Sequence, residues 1–577
     1  MEVHIQLVAL VACLAAGSGD AARILALFHY PGGSHFNTLG RLVRELAARG
    51  HHLTVVSHVP LDSPPANYTD VSIRGSAPLV TDTFSVKRLL YTAKKDLGLL
   101  DLGITREIAS YLFNIDFKNC KVAYEHPAVE DLIRSIRSGE KQFDLVIVHA
   151  LTIDCFDPFA HLLGGVPLVA VSTNMMTPWC SDRVANPHNP AYVGTYFLPY
   201  ETANMGFYER FLNTVYHLFV KFVSSVVGRY CRPSASSYWP STCADKTVRD
   251  LYEDQFLIRQ SSGNKVRHRA LYEDTEELHR RHLGTQLPPL WQSLSATSLV
   301  LLNTHWTIGG AVPLLPNVVE VGGLHIEQPQ PLPQELEQFL SGSAHGAVYV
   351  SFGSLIAFHT LPLDKMRAVL EALSSLEQRV VLRCDASQLP AGVRLPGNVW
   401  ASRWLPQTAI LAHVSVHAFV THGGMHSVLE AIHFGVPLLG FPLFGDQKLT
   451  MNRLQTLGVA IQQDYLHLTA QSFRVALRSL VNDTRYRERA KQLSQLFWDR
   501  PRPPLEEAVY WVEYVIRHRG APHLRSAALD LSWYQYLLLD VAAFVGLGAV
   551  LAGTLLCVCL KSIYTDVWST VDNLKRA

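Results

Sequence analysis

Polar and small residues with chemical capability are concentrated between Trp404 and Gln447. His422-Gly423-Gly424 falls where a strand read at Ala418–Thr421 turns into a helix. Missing side chains at such a turn let backbone N–H groups approach an anion, and the partial positive charge of the helix N-terminus favours a phosphate there. Ser427 lies in the first helical turn. Glu430 follows Ser427 by three residues and His426 by four, so the three share one helical face. A carboxylate one turn below a phosphate site can accept both hydroxyls of a ribose. Gly435 is placed to end the helix. Val436–Phe441 reads as the next strand, and Asp446-Gln447 follows it in a loop at the carboxyl end, where open α/β sheets bind ligands. A doubly wound domain with a routine glycine turn has no packing need for these polar groups.

The ordered set Trp404, Gln407, His422, Gly424, Ser427, Glu430, Asp446 and Gln447 closely resembles the donor-binding signature of the UDP-glycosyltransferases, inverting enzymes of the GT-B fold. The resemblance implies that Trp404 stacks on uracil and that Gln407 and Glu430 hold the ribose. It implies that His422, Gly424 and Ser427 hold the diphosphate, and that Asp446 and Gln447 hold the sugar hydroxyls. Many relatives place Asn before the serine; His426 in the donor-binding set departs from that pattern. Phe352-Gly353-Ser354, a small-residue turn after the strand Ala347–Ser351, is able to meet the diphosphate from the other side.

Near the start, a buried strand at Arg23–Phe28 runs through His29-Tyr-Pro-Gly-Gly-Ser34 into a helix at His35–Arg49, with Ser34 as its expected N-cap. There is no GxGxxG and no acidic residue closing the second strand, Leu53–Ser57, which argues against a dinucleotide site. A lone histidine is more often a capping or packing residue than a catalyst, but His35 follows the first strand at the sheet's carboxyl edge. Its SHF context resembles the catalytic-base motif of animal UDP-glycosyltransferases. In that family an acidic residue after a later strand partners the histidine. Counting from Phe143-Asp144 puts His149 where vertebrate relatives have Asp, whereas counting back from Cys155 favours Asp154, as in arthropod relatives. We take Asp154 as the expected partner, with an N-cap role as its structural alternative.

The elements that must position these residues fill most of 577 residues, enough for more than one domain. A net charge of +1 gives no reason to expect nucleic acid. Hydrophobic content is high at 48%, with the excess concentrated at the two ends. Ile5–Ala16 followed by small residues reads as a signal peptide. The charge-free run Val541–Leu560 spans about 30 Å as a helix, the thickness of a hydrocarbon core. Together they predict a single-pass type I protein of the endoplasmic reticulum membrane with its catalytic region in the lumen, usable glycosylation sequons at Asn67 and Asn482, and Lys575-Arg576 in the cytosolic tail. Six cysteines precede the span in the mature chain, with room for one or two disulfides of unreadable pairing. Residues 60–140 carry no nameable motif. The apolar helical pattern from Phe207 to Val227 is assigned to core, with membrane-surface contact and the wall of an apolar acceptor pocket as the alternatives.

The expected domains are a signal peptide (1–22), an acceptor-binding domain (23–285), and a UDP-sugar domain whose terminal helices cross back (286–520). A juxtamembrane segment (521–540), a transmembrane helix (541–560) and a tail (561–577) complete the chain. Strands at Ser298–Asn303 and Val318–Val321 are assigned to the second domain. The segment 508–540 resembles arthropod members, which implies glucose as the sugar. The function expected is inverting hexosyl transfer from a UDP-sugar to a small lipophilic hydroxyl acceptor, as in detoxification. UDP-sugar is then a co-substrate and no metal is expected, since no ligand cluster is visible. The alternatives are glucuronic acid as the sugar, a non-catalytic binder of apolar ligands on the same scaffold, and an epimerase. Oligomeric state, homo-oligomer or not, stays open.

Overall fold

The computed structural model describes residues 21–82, 115–150, 154–195, 198, 200, 205–222, 267–443 and 445–576. Most of the expected signal peptide, together with Cys231 and Cys243, lies outside these residues. The chain forms two units, Met1–Leu524 and Arg525–Ala577.

The first unit contains two parallel sheets. One has seven strands: β1 (Arg23–Leu27), β2 (His52–Ser57), β3 (Tyr68–Ser72), β4 (Leu145–His149), β5 (Leu168–Ser172), β6 (Thr297–Leu302) and β7 (Val318–Glu320). Their spatial order is β3-β2-β1-β4-β5-β6-β7. Runs such as LVIVH and LVAVS are buried at every position, as strands covered on both faces require. The order reverses between β1 and β4, the place where doubly wound sheets open a crevice.

The second sheet has six strands: β8 (Ala347–Ser351), β9 (Arg379–Arg383), β10 (Val399–Ser402), β11 (Val416–Thr421), β12 (Leu438–Gly440) and β13 (Ala460–Gln462). Their order, β10-β9-β8-β11-β12-β13, reverses between β8 and β11. Two Rossmann-like domains thus make a GT-B architecture. One assignment needs correction: β6 and β7 belong to the first sheet, β6 pairing in parallel with β5 from Leu168↔Thr297 to Ser172↔Leu302. An apolar run shows that a strand is buried without showing which sheet it joins. The crossover between sheets therefore follows Glu320, later than residue 285.

Helix α1 (Gly33–Ala48) buries Phe36, Leu39, Leu42, Val43 and Leu46 against the first sheet. Its N-cap is Gly32, with no side-chain cap, so Ser34 lies inside the first turn instead of capping it. Helix α2 (Phe207–Phe222) also departs from expectation: Phe207, Phe211, Val215 and Leu218 are exposed and not core. Around the second sheet run α3 (Leu363–Ser374), α4 (Gln407–Ala412), α5 (Met425–His433) and α6 (Gln447–Thr456). Gly435, with φ of +66°, follows the end of α5 as a helix stop should. Helix α7 (Pro504–Arg517) places Ala508, Val509, Val512 and Val515 in one core with Ile24, Ala26 and Phe36, so the last helix of this unit covers the first sheet.

In the second unit, α8 (Leu539–Arg576) contains Leu539–Ser569, long and apolar enough to cross a membrane, with mean hydropathy 2.4 over an 18-residue window. It fits a single-pass anchor.

Candidate active site

The carboxyl ends of β8, β9 and β11 supply one wall of the site. His422 leaves β11 and is buried between two glycines. A Cβ at Gly353 would lie 2.4 Å from His422 Cε1, and one at Gly424 would lie 2.5 Å from Nε2. Gly353 also holds φ of +73°, a conformation side chains disfavour. Burial, with the Arg383 guanidinium second, pushes the His422 imidazole down to about 4, so it is neutral at physiological pH. Gly424 is the N-cap of α5, whose first N–H groups have no side-chain cap. They are free to meet an anion.

One turn along α5, Gln407 Nε2 donates to Glu430 Oε2 at 2.6 Å and to Ser427 Oγ at 3.1 Å. The Tyr349 hydroxyl donates to Gln407 Oε1 at 3.1 Å, which fixes the amide, and His325 Nε2 lies 3.5 Å from Glu430 Oε1. Gln407, Ser427 and Glu430 thus form one polar floor. Trp404 is 70% exposed, an open aromatic face, with the Arg383 guanidinium 5.8 Å from its ring. Ahead of α6, Asp446 is buried and its Oδ2 has no protein partner among the described residues. Burial penalises the charged form and raises its carboxyl to about 7, against a smaller downward pull from its own backbone N–H. Hydroxyl donors would relieve that penalty. Gln447 Oε1 accepts from the Leu443 N–H at 2.8 Å.

The opposite wall comes from the first sheet. His35, in the first turn of α1, is half-buried. Its Nδ1 lies 2.8 Å from Thr173 Oγ1 and 3.2 Å from His149 Nε2. Both contacts use Nδ1, which leaves Nε2 without a protein partner among the described residues. His149 ends β4 and Thr173 follows β5, so the crevice between β1 and β4 collects all three. Burial pushes the His35 imidazole down to about 4, against an upward pull from Asp116, and the same cause holds His149 well below its ordinary value. A neutral imidazole that donates Nδ1–H to Thr173 keeps a basic lone pair on Nε2, chemistry that a general base requires.

Asp154 is not brought to His35. It is buried in an ion pair with Arg183, which also holds Asp157. The guanidinium occupies the carboxylate that the sequence assigned to the imidazole, while Asp154's position near Cys155 comes from the loop after β4. Nor does it cap a helix, since the cap of the next short helix is Pro158. The two walls meet through polar contacts. His426 Nε2 lies 2.7 Å from Thr38 Oγ1 of α1, and its ring stands 6.2 Å from that of His35. Ser354 Oγ reaches Ser34 Oγ at 3.5 Å, while Asp82 accepts from Arg383 at 3.2 Å and donates its N–H to the Ser354 carbonyl at 2.8 Å.

Sequence reading missed Thr38, Asp82, Asp116, Thr173, His325 and Arg383. Thr173 and Arg383 sat beside readable strand ends, a usable signal; Asp82 and Asp116 lay in the stretch without motifs. Of the two expected glycosylation acceptors, Asn67 is partly buried just before β3 and Asn482 is exposed at the end of a helix, Ala470–Asn482.

Residues 271–577 match the model of the family described as UDP-glucoronosyl and UDP-glucosyl transferase. UDP-glucosyltransferase 2 of Dactylopius coccus is 34% identical over 545 residues, covering 94% of this chain and 93% of that one. Human UDP-glucuronosyltransferase 1A9 is 29% identical over 92% of this chain and 90% of its own. Among solved structures, a UDP-glucose:anthocyanidin 3-O-glucosyltransferase in complex with UDP shares the fold with a TM-score of 0.51, at 18% identity over 86% of this chain and 99% of that one. The chain belongs to the UDP-glycosyltransferase family and is a transferase that uses a UDP-sugar as donor.

Proposed function

We propose that the sugar is glucose and that it passes, with inversion, to a hydroxyl of a small lipophilic acceptor held in the first domain. The base is His35. Its Nε2 takes the acceptor proton as that oxygen attacks the anomeric carbon, and the bond to UDP breaks with its electron pair on the diphosphate. The α5 N-terminus, His422, Gly424, Ser427 and Ser354 would hold the charge of the leaving group. Trp404 would stack on uracil, Gln407 and Glu430 bind the ribose, and Asp446 and Gln447 bind the sugar hydroxyls. The observation that carries the reading is His35, anchored among the described residues through Nδ1 alone, with Nε2 open. His426, spent on Thr38, acts by docking the two walls rather than by touching phosphate.

Glucose is favoured by the 34% identity to an arthropod glucosyltransferase. A lumenal, type I placement in the endoplasmic reticulum is supported by the disulfide between Cys120 and Cys155, a bond of oxidising compartments. We place domains, sequons and tail as the sequence reading does, with the crossover moved past Glu320. The test is UDP release from full-length protein in detergent, with UDP-glucose and UDP-glucuronic acid compared over a panel of phenols. His35→Ala should lose at least a thousandfold in kcat while binding UDP normally. Turnover retained in that variant removes the base assignment, and preference for UDP-glucuronic acid removes glucose.

A further inference from the structure

We infer that the carboxylate supporting His35 is Asp116, acting across His149 and His29. The inference rests on His35 being the base.

Proton transfer from the acceptor turns His35 into an imidazolium, and a charge-stabilising group behind the ring is then needed. His149 touches Nδ1 of His35, but an imidazole brings no negative charge. The surroundings on every side are also largely imidazole. Tyr30 and His149 face His35 from the first domain and His426 faces it from α5, with His325 4.6 Å behind His426 by ring centroids. Glu430, one turn beyond His426 on α5, is bonded to Gln407 and placed against His325. Asp154 and Asp157 share the buried guanidinium of Arg183, which cancels much of their field.

Asp116 differs. Its carboxylate is fully buried and pairs with His29 Nε2 at 2.8 Å. The His29 ring, whose backbone carbonyl accepts from His58 Nε2 at 3.0 Å, lies 6.4 Å from the His149 ring. His149 in turn lies 3.2 Å from His35. A row of three imidazoles therefore ends on one carboxylate, in a low-dielectric interior where a charge acts over several ångströms. Asp116 raises the His35 imidazole against the downward push of burial. The carboxylate is also held from behind. Residues 115–124 are helical, and that helix is tied by Cys120–Cys155 and by the Tyr124 hydroxyl, which donates to the Cys155 carbonyl at 2.9 Å. Asp116 touches neither substrate, so it is a positioning residue.

The experiment follows kcat/KM against pH in the full-length protein in detergent, using UDP-glucose and a phenol that the wild type conjugates. UDP affinity serves as the control for folding. Asp116→Asn should lower kcat roughly ten- to a hundredfold and move the acid limb to lower pH by about half a unit or more, since the base loses the charge that raises it. A carboxylate supplied directly, in Asp116→Asn/His149→Asp, should restore both. If Asp116→Asn alone does not fold, His29→Gln/Asp116→Asn replaces the pair with two amides and should show the same limb shift. An unmoved acid limb, or no recovery in the His149→Asp double variant, overturns the inference while leaving His35 as base. Activity retained in His35→Ala overturns the base reading itself, and this inference with it.

Discussion

Thr38 and His426 stand 2.7 Å apart across the cleft although 388 positions separate them in the chain. Thr38 lies one turn beyond His35 on α1, and His426 lies in the first turn of α5. One hydrogen bond therefore joins the helix carrying His35, the proposed base, to the helix whose N-terminus is proposed to hold the donor diphosphate.

Breaking that bond should misalign the two substrates more than it weakens either one. His426→Ala is expected to lower kcat about ten- to a hundredfold, because small displacements of reacting groups cost that much. UDP affinity by calorimetry should change less than threefold. Thr38→Val should match it, and the double variant should be little worse than either single. Fully additive losses would mean that the two residues act separately.

Asp446 and Glu430 are expected to divide the donor between them. Glu430→Ala removes a charged hydrogen-bond acceptor from the floor under the ribose and should weaken UDP itself by about ten- to a hundredfold. Asp446→Asn should leave UDP affinity alone and raise KM for UDP-glucose. Burial raises the Asp446 carboxyl to about 7, so below that pH it is protonated and a poorer acceptor for sugar hydroxyls. KM for UDP-glucose should therefore rise as pH falls through 7, with UDP affinity flat, and the Asn variant should lack the dependence. A dependence that survives in Asp446→Asn assigns the titration elsewhere.

Asp154→Asn should act on stability. It leaves the buried guanidinium of Arg183 with one carboxylate in place of two, and breaking a buried pair costs about 3–5 kcal/mol. Denaturant midpoints should fall accordingly, while turnover per folded molecule stays near wild type. Normal stability with lost turnover would return Asp154 to the side of His35.

What the sequence made legible follows from distance along the chain. From Trp404 to Gln447 the turn, helix and loop are local, so spacing alone put Ser427 and Glu430 on one face of α5, and Gln407 joins them over 20 and 23 positions. The other wall is built by contacts such as His35 to His149 and to Thr173, over 114 and 138 positions, which only the sheet order brings together. Counting residues could not choose between His149, which ends β4, and Asp154, five positions later, because the choice depends on where Arg183 packs. Helix α2 shows a different limit. Its periodicity identified an apolar face correctly but carried no information about what would cover it, and Phe207 is 79% exposed.

The Cys120–Cys155 bond closes a loop with a sequence separation of 35, a constraint on the unfolded chain that amounts to about 4 kcal/mol. Its second effect concerns recombinant production. In the reducing cytosol of a bacterial host the two thiols stay open, and the helix bearing Asp116 loses its covalent tether to the loop behind His149. Such material can retain UDP binding, since the second sheet has no part in the bond, yet turn over slowly. Preparations from oxidising and reducing hosts would then agree in donor affinity and differ in specific activity, a discrepancy traceable to one sulfur–sulfur bond rather than to impurity.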